Sequence, residues 1–68
     1  MIIELNGDRV EVGDDARVAD AVARAGGDRD RRGVAVAVDG EVVPRGAWER
    51  IKLREDQKVE VVGAIQGG

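Results

Sequence analysis

Met1-Ile2-Ile3-Glu4-Leu5-Asn6-Gly7-Asp8-Arg9-Val10-Glu11-Val12 opens the chain, and the reading of this stretch decides the fold. Side chains alternate across an extended segment, so Ile3 and Leu5 fall on one face and Ile2 and Glu4 on the other. Asn6-Gly7 is the dipeptide best suited to a two-residue type I′ turn, in which both central residues need positive φ. Val10 and Val12 then return on the face of Ile3 and Leu5. The stretch is predicted to be a β-hairpin with one apolar face. A lone hairpin is at best marginal in water, so the rest of the chain must cover that face.

The next residues supply the cover. Gly13-Asp14-Asp15 ends the strand and puts acidic residues where a helix amino terminus favours them. Val18, Ala21, Val22 and Ala25 form an i, i+3, i+4, i+7 stripe. Arg24 sits in the last turn, and Gly26-Gly27 is expected to stop the helix. Gly26 to Gly33 (GGDRDRRG) reads as a charged loop whose Arg29, Arg31 and Arg32 are solvated.

Gly33 to Val38 is the most strand-like segment, with Val34, Val36 and Val38 on one face and Ala35 and Ala37 on the other. Asp39-Gly40 is a second tight turn, leading into Glu41-Val42-Val43. Pro44 cannot donate to a ladder, so this fourth strand should be short and at an edge. Arg45 to Arg50 reads as a helical turn anchored by Trp48. After Leu53 and a polar turn at Arg54-Glu55-Asp56-Gln57, Lys58 to Ala64 is the last strand. Val59 and Val61 should face inward, and Lys58, Glu60 and Val62 outward. The pattern predicts an α+β fold: a mixed sheet of four to five strands, one helix across it, and a short helical turn before the last strand. With a crossover through the helix, that strand lies centrally beside the first, the ubiquitin-like β-grasp arrangement. Residues 1–64 form the domain and residues 65–68 a flexible tail.

Composition excludes several functions. At 68 residues there is one domain at most, and with no cysteine and no histidine there is no thiolate nucleophile, triad or common zinc site. A net charge of −3 with interspersed signs gives no nucleic-acid or polybasic membrane surface, and Trp48, the only aromatic residue, cannot build a stacking platform. No apolar run approaches a membrane span and no signal peptide opens the chain, so a soluble cytoplasmic protein is expected, without nucleic-acid or membrane partners.

The closing Ile65-Gln66-Gly67-Gly68 stands apart. With ten glycines in 68 residues, chance alone ends such a chain in two glycines about one time in fifty. Glycines pack nothing and are costly to order. They do make a thin tether whose carboxylate can enter a narrow active site on another protein and attack the α-phosphate of ATP. The small outward face of Ala35, Ala37 and Val62 suits contact with such a partner.

Leu5-Asn6-Gly7, Val34 to Val43 (VAVAVDGEVV), Pro44-Arg45 followed by Trp48, Val59-Glu60-Val61 and the final Gln66-Gly67-Gly68 together resemble the ThiS-type sulfur carriers of bacterial thiamine biosynthesis. The resemblance runs essentially end to end. The Pro-Arg-x-x-Trp element separates it from the small subunits of molybdopterin synthase, which share fold and diglycine. Three positions depart: the family usually has Asn at Asp39, Thr or Ser at Arg17, and Gly-Asp at Asp56-Gln57. Arg17 brings no acceptor to the helix cap, an expected loss of about 1 kcal/mol unless Asp14 or Asp15 substitutes.

The resemblance implies that the Gly68 carboxylate is adenylated by an E1-like (ThiF-type) adenylyltransferase using ATP. It is then converted to a thiocarboxylate by a sulfur donor such as a cysteine desulfurase, and passed to a ThiG-type thiazole synthase. Gly68 would be the covalent carrier, and Ile65, Gln66 and Gly67 the part that enters the partner's channel. The chain itself would hold no metal, cofactor or catalytic residue. Alternatives of the same chemistry are carriers for molybdopterin, thio-tRNA or amino-acid pathways. A lysine-linked ubiquitin-like modifier and an idle structural module are of different classes.

Overall fold

A computed structural model of the chain describes residues 1–26 and 33–63. The opening hairpin forms as predicted: β1 (Ile2–Leu5) runs antiparallel to β2 (Asp8–Glu11), with Ile3 opposite Val10 and Leu5 opposite Asp8. Asn6 and Gly7 take φ of 51° and 89°, the two left-handed positions of a type I′ turn. A single helix, α1 (Val18–Arg24), follows. Then come β3 (Val34–Val38), β4 (Glu41–Val42), a 3₁₀ turn at Arg45–Ala47, and β5 (Lys58–Gly63). The sheet order is β2-β1-β5-β3-β4. β5 is parallel to β1 and antiparallel to β3, so the last strand is central and the sheet is mixed. This is the ubiquitin-like β-grasp, with five strands. Residue 64, expected to end the last strand, lies outside the described residues, as do Gly27 and the loop arginines Arg29, Arg31 and Arg32.

The inner sheet face carries Ile3, Leu5, Val36 and Val59, and α1 lays Val18, Ala21 and Val22 against it. Val10 and Val12 pack at the margin of this core. The stripe expected on the helix fails at its fourth position. Ala25 is exposed because the helix ends at Arg24, Ala25 is its cap, and Gly26 turns the chain away at φ 85°. Trp48, 2% exposed, belongs to the same core cluster, together with Val43, Ala47 and Leu53.

The start of α1 solves its capping problem without Asp14 or Asp15. Those two carboxylates pair with the Met1 amine (3.3 Å) and with Lys52 (3.5 Å). The first free helical N–H groups, on Val18 and Ala19, donate instead to the backbone carbonyls of Ile51 and Trp48, at 3.0 Å each. Asp20 reaches back to accept the Arg17 N–H at 2.7 Å. Arginine has no acceptor of its own, so only this return arm of a capping box exists. Residues 48–53 are therefore stitched to the helix entrance, with Leu53 N–H donating to Ala16 at 2.9 Å as the next link. The donors that a Ser or Thr cap would satisfy already have main-chain partners, so the expected cost at Arg17 does not arise.

The other two departures meet at one place. Asp39 (φ 52°) and Asp56 (φ 66°) both occupy left-handed turn positions, which short acidic side chains tolerate. The Asp39 carboxylate accepts the Lys58 N–H (3.0 Å) and Gln57 Nε2 (3.2 Å), while Gln57 Oε1 accepts the Arg54 N–H (2.7 Å). An acceptor at 39 is thus matched to a donor at 57, and the pair pins the turn before β5. The hydrogen bond from Lys58, then that from Gln57, hold the Asp39 pKa below the usual carboxylate range. A depressed folded-state pKa stabilises above the unfolded value of about 3.9 and is lost as pH falls through the folded one. Asp39→Ala should therefore flatten the acid limb of the stability profile below about pH 4, measured by urea melts. Identical acid limbs in the two proteins would show that Asp39 contributes nothing there.

Candidate functional site

The helix covers one face of the sheet and leaves the other open. β-Strand alternation puts Ile2 and Glu4 of β1, Lys58, Glu60 and Val62 of β5, and Ala35 and Ala37 of β3 on the open face. The register brings the three expected residues together: Val62 lies opposite Ala35, and Ala37 lies between Glu60 on β5 and Val42 on β4. Val62 is 63% exposed. Val42, 75% exposed, belongs to the same patch and was not singled out from the sequence. Its signal was present: a two-residue Asp39-Gly40 turn fixes the register of β3 and β4, which puts Val42 on the face of Ala37. The patch is a small apolar area at the β5–β3–β4 side, bordered by Glu60. Ile2, Glu4, Arg9, Glu11 and Lys58 lie on the same face beyond it, with Ile2 opposite Glu11 and Glu4 opposite both Arg9 and Lys58.

The second feature is the strand that leads toward residue 68. β5 is held from both sides at its start: by β1 at Lys58 and Val59, and by β3 from Val38 back to Val34. The β1 side reaches further than its own strand. Asn6 N–H donates to the Val59 carbonyl (2.9 Å), and the Asn6 side-chain carbonyl accepts the Val61 N–H (2.8 Å). The sequence alone gave Asn6 a turn role only. The proposed carrier residue Gly68, and Ile65, Gln66 and Gly67 before it, lie outside the described residues.

A shallow groove on the helix side is lined by Val12, Gly13, Ala16, Asp20, Ala23 and Arg24. Its carboxylate already accepts the Arg17 N–H, so it offers no acid–base pair. Among the described residues no cluster of His, Cys, Asp or Glu could hold a metal ion, and no helix is long and apolar enough to cross a membrane. What the described body presents is an apolar patch beside a well-anchored strand.

Comparison with known proteins bears on what that strand leads to. Among solved structures the chain is similar to the thiamine biosynthesis protein ThiS from Geobacter metallireducens, with a TM-score of 0.77, 23% identity and complete coverage of both chains. At that identity the likeness establishes the fold. No curated protein matches the chain. The model of the ThiS family matches residues 2–68, a span that takes in the β-grasp body, the open-face patch and the closing diglycine alike, and the chain belongs to that family.

Proposed function

We propose that this protein is a sulfur carrier in thiamine biosynthesis, and that the group carrying the sulfur is the carboxylate of Gly68. The observation that supports this best is the reach of the family match, which continues through the diglycine to residue 68. The residue inventory agrees with it. A chain with neither Cys nor His has no side chain suited to holding transferable sulfur, whereas a main-chain acid can take it as a thiocarboxylate.

In an E1-like, ThiF-type partner, a Gly68 carboxylate oxygen attacks the α-phosphate of ATP and pyrophosphate leaves. A persulfide-bearing donor, such as a cysteine desulfurase, supplies the sulfur that displaces AMP from the acyl carbon. That attack leaves an acyl disulfide between Gly68 and the donor. A second thiol, on the donor or a partner, attacks the donor sulfur, is oxidised to a disulfide with it, and releases the thiocarboxylate. A ThiG-type thiazole synthase then takes the sulfur for the thiazole ring. The chain is a co-substrate throughout, and ATP is bound by the partner. Residues 1–64 serve as the body that partners grip, through the Ala35, Ala37, Val62 and Val42 face, and residues 65–68 as the tether that enters the channel. An apolar patch of this kind on an otherwise charged surface is what a transient docking site requires.

Intact-mass spectrometry tests the reading. After incubation with ATP, the adenylating partner and a sulfur donor, the chain should gain the mass of one oxygen-to-sulfur exchange, and Val62→Glu should slow that conversion. Larger, isopeptide-linked species would identify a protein modifier instead, and an unchanged mass would end the carrier reading.

A further inference from the structure

We infer that Asn6 is a positioning residue for the tail: its side chain holds Val61 and so fixes the direction in which β5 leaves the sheet. The inference follows from the pattern of a parallel ladder. There, a residue donates its N–H to one residue of the neighbouring strand and accepts, through its own carbonyl, from the residue two further on. Asn6 makes the first bond with its main chain, to the Val59 carbonyl at 2.9 Å. The second position, Val61 N–H, is taken by its side-chain carbonyl at 2.8 Å. The backbone at Asn6 has already entered the hairpin turn, with φ 51°. The side chain therefore stands in for a main-chain carbonyl and lengthens the ladder by one rung.

That rung is the last one on the β1 side. Val62 and Gly63 pair with Ala35 and Val34 of β3 and have no β1 partner among the described residues. Val61 is thus the point where a strand clamped on both edges becomes one clamped on a single edge. A hinge there would swing whatever follows about the β3 edge. Asparagine meets both demands of the position, since it tolerates positive φ and carries an acceptor. The consequence at Gly68 rests on the carrier reading; the clamp on β5 does not.

Asn6→Gly keeps the turn conformation and removes the acceptor, while Asn6→Asp keeps both. Two measurements on the full chain separate the outcomes. Amide hydrogen exchange at Val61 should quicken about tenfold in Asn6→Gly, the effect of one lost hydrogen bond, with the Val36 amide unchanged and Asn6→Asp close to wild type. The kcat/KM of the adenylating partner for the chain should fall about tenfold in Asn6→Gly, and Asn6→Asp should restore it. Equal Val61 protection in Asn6→Gly and wild type would overturn the clamp. Faster exchange with undiminished charging would overturn the positioning role. A wild-type chain that takes up no sulfur would sink the carrier reading instead, and the exchange comparison would still decide whether Asn6 holds β5.

Discussion

Trp48→Ala should leave much of the protein unfolded at moderate temperature. Three separate contributions end together. The side chain is the largest that is fully buried, so truncation removes its transfer free energy and leaves a cavity among Val43, Ala47 and Leu53; such changes cost about 3–5 kcal/mol. The indole Nε1 donates to the Val43 carbonyl at 2.9 Å, so a buried acceptor loses its partner, a further term of about 1–3 kcal/mol where water cannot replace it. Residues 48–53 also cap α1 through the carbonyls of Trp48 and Ile51, and loosening the anchor loosens the helix entrance. A domain of this size has a total stability of about 3–10 kcal/mol, so one substitution consumes a large part of it. Thermal melts should show Tm falling by about 15 °C or more. Trp48→Phe, which keeps most of the volume but not the donor, should fall between the two. A change of less than about 0.5 kcal/mol in Trp48→Ala would mean that the indole does not anchor the turn.

Most of the fold was legible because two signals with rigid geometry coincide. Asn6-Gly7 and Asp39-Gly40 each fix a hairpin register, and once the register is fixed, alternation assigns every side chain of β1, β2, β3 and β4 to a face. β5 follows from Val59 and Val61, and the open-face group Ala35, Ala37 and Val62 follows with it. Features that depend on residues distant in sequence were not legible. The helix cap could not be read because its acceptors are main-chain carbonyls some thirty residues downstream, which no local pattern marks. Ala25 looked like a fourth core position because periodicity does not say where a helix stops. Asn6 and Asp39 were read correctly as turn residues, but their side chains also serve β5, at Val61 and Lys58. That second use depends on sheet order, which a strand list leaves open. Val42 joins the open face only through the β3–β4 register, which a strand of two residues marks weakly by itself.

Removal of Gly68 should abolish sulfur loading and leave the melt almost unchanged. The buried side chains run from Ile3 to Val59 among the described residues, so the truncation removes none of them, and a change within about 0.5 kcal/mol is expected. The chemical effect is of another order. The acid would move to Gly67, and one residue of extended chain spans about 3.3–3.6 Å. Attack on the α-phosphate needs the reacting atoms about 3–3.5 Å apart, and a misplacement of 1 Å can cost about a hundredfold. A carboxylate short by a whole residue falls outside that range unless the body moves with it, and the body is fixed by its own docking contacts. Gly68→Ala gives the complementary test: it keeps the reach and adds a single Cβ, so loading should fall but persist if length dominates over width. Full loading of the truncated chain would show that the reactive acid is not confined to the last position. A drop in Tm of many degrees on truncation would assign residue 68 to the stability of the body, and the separation between a gripped domain and a reacting end would fail with it.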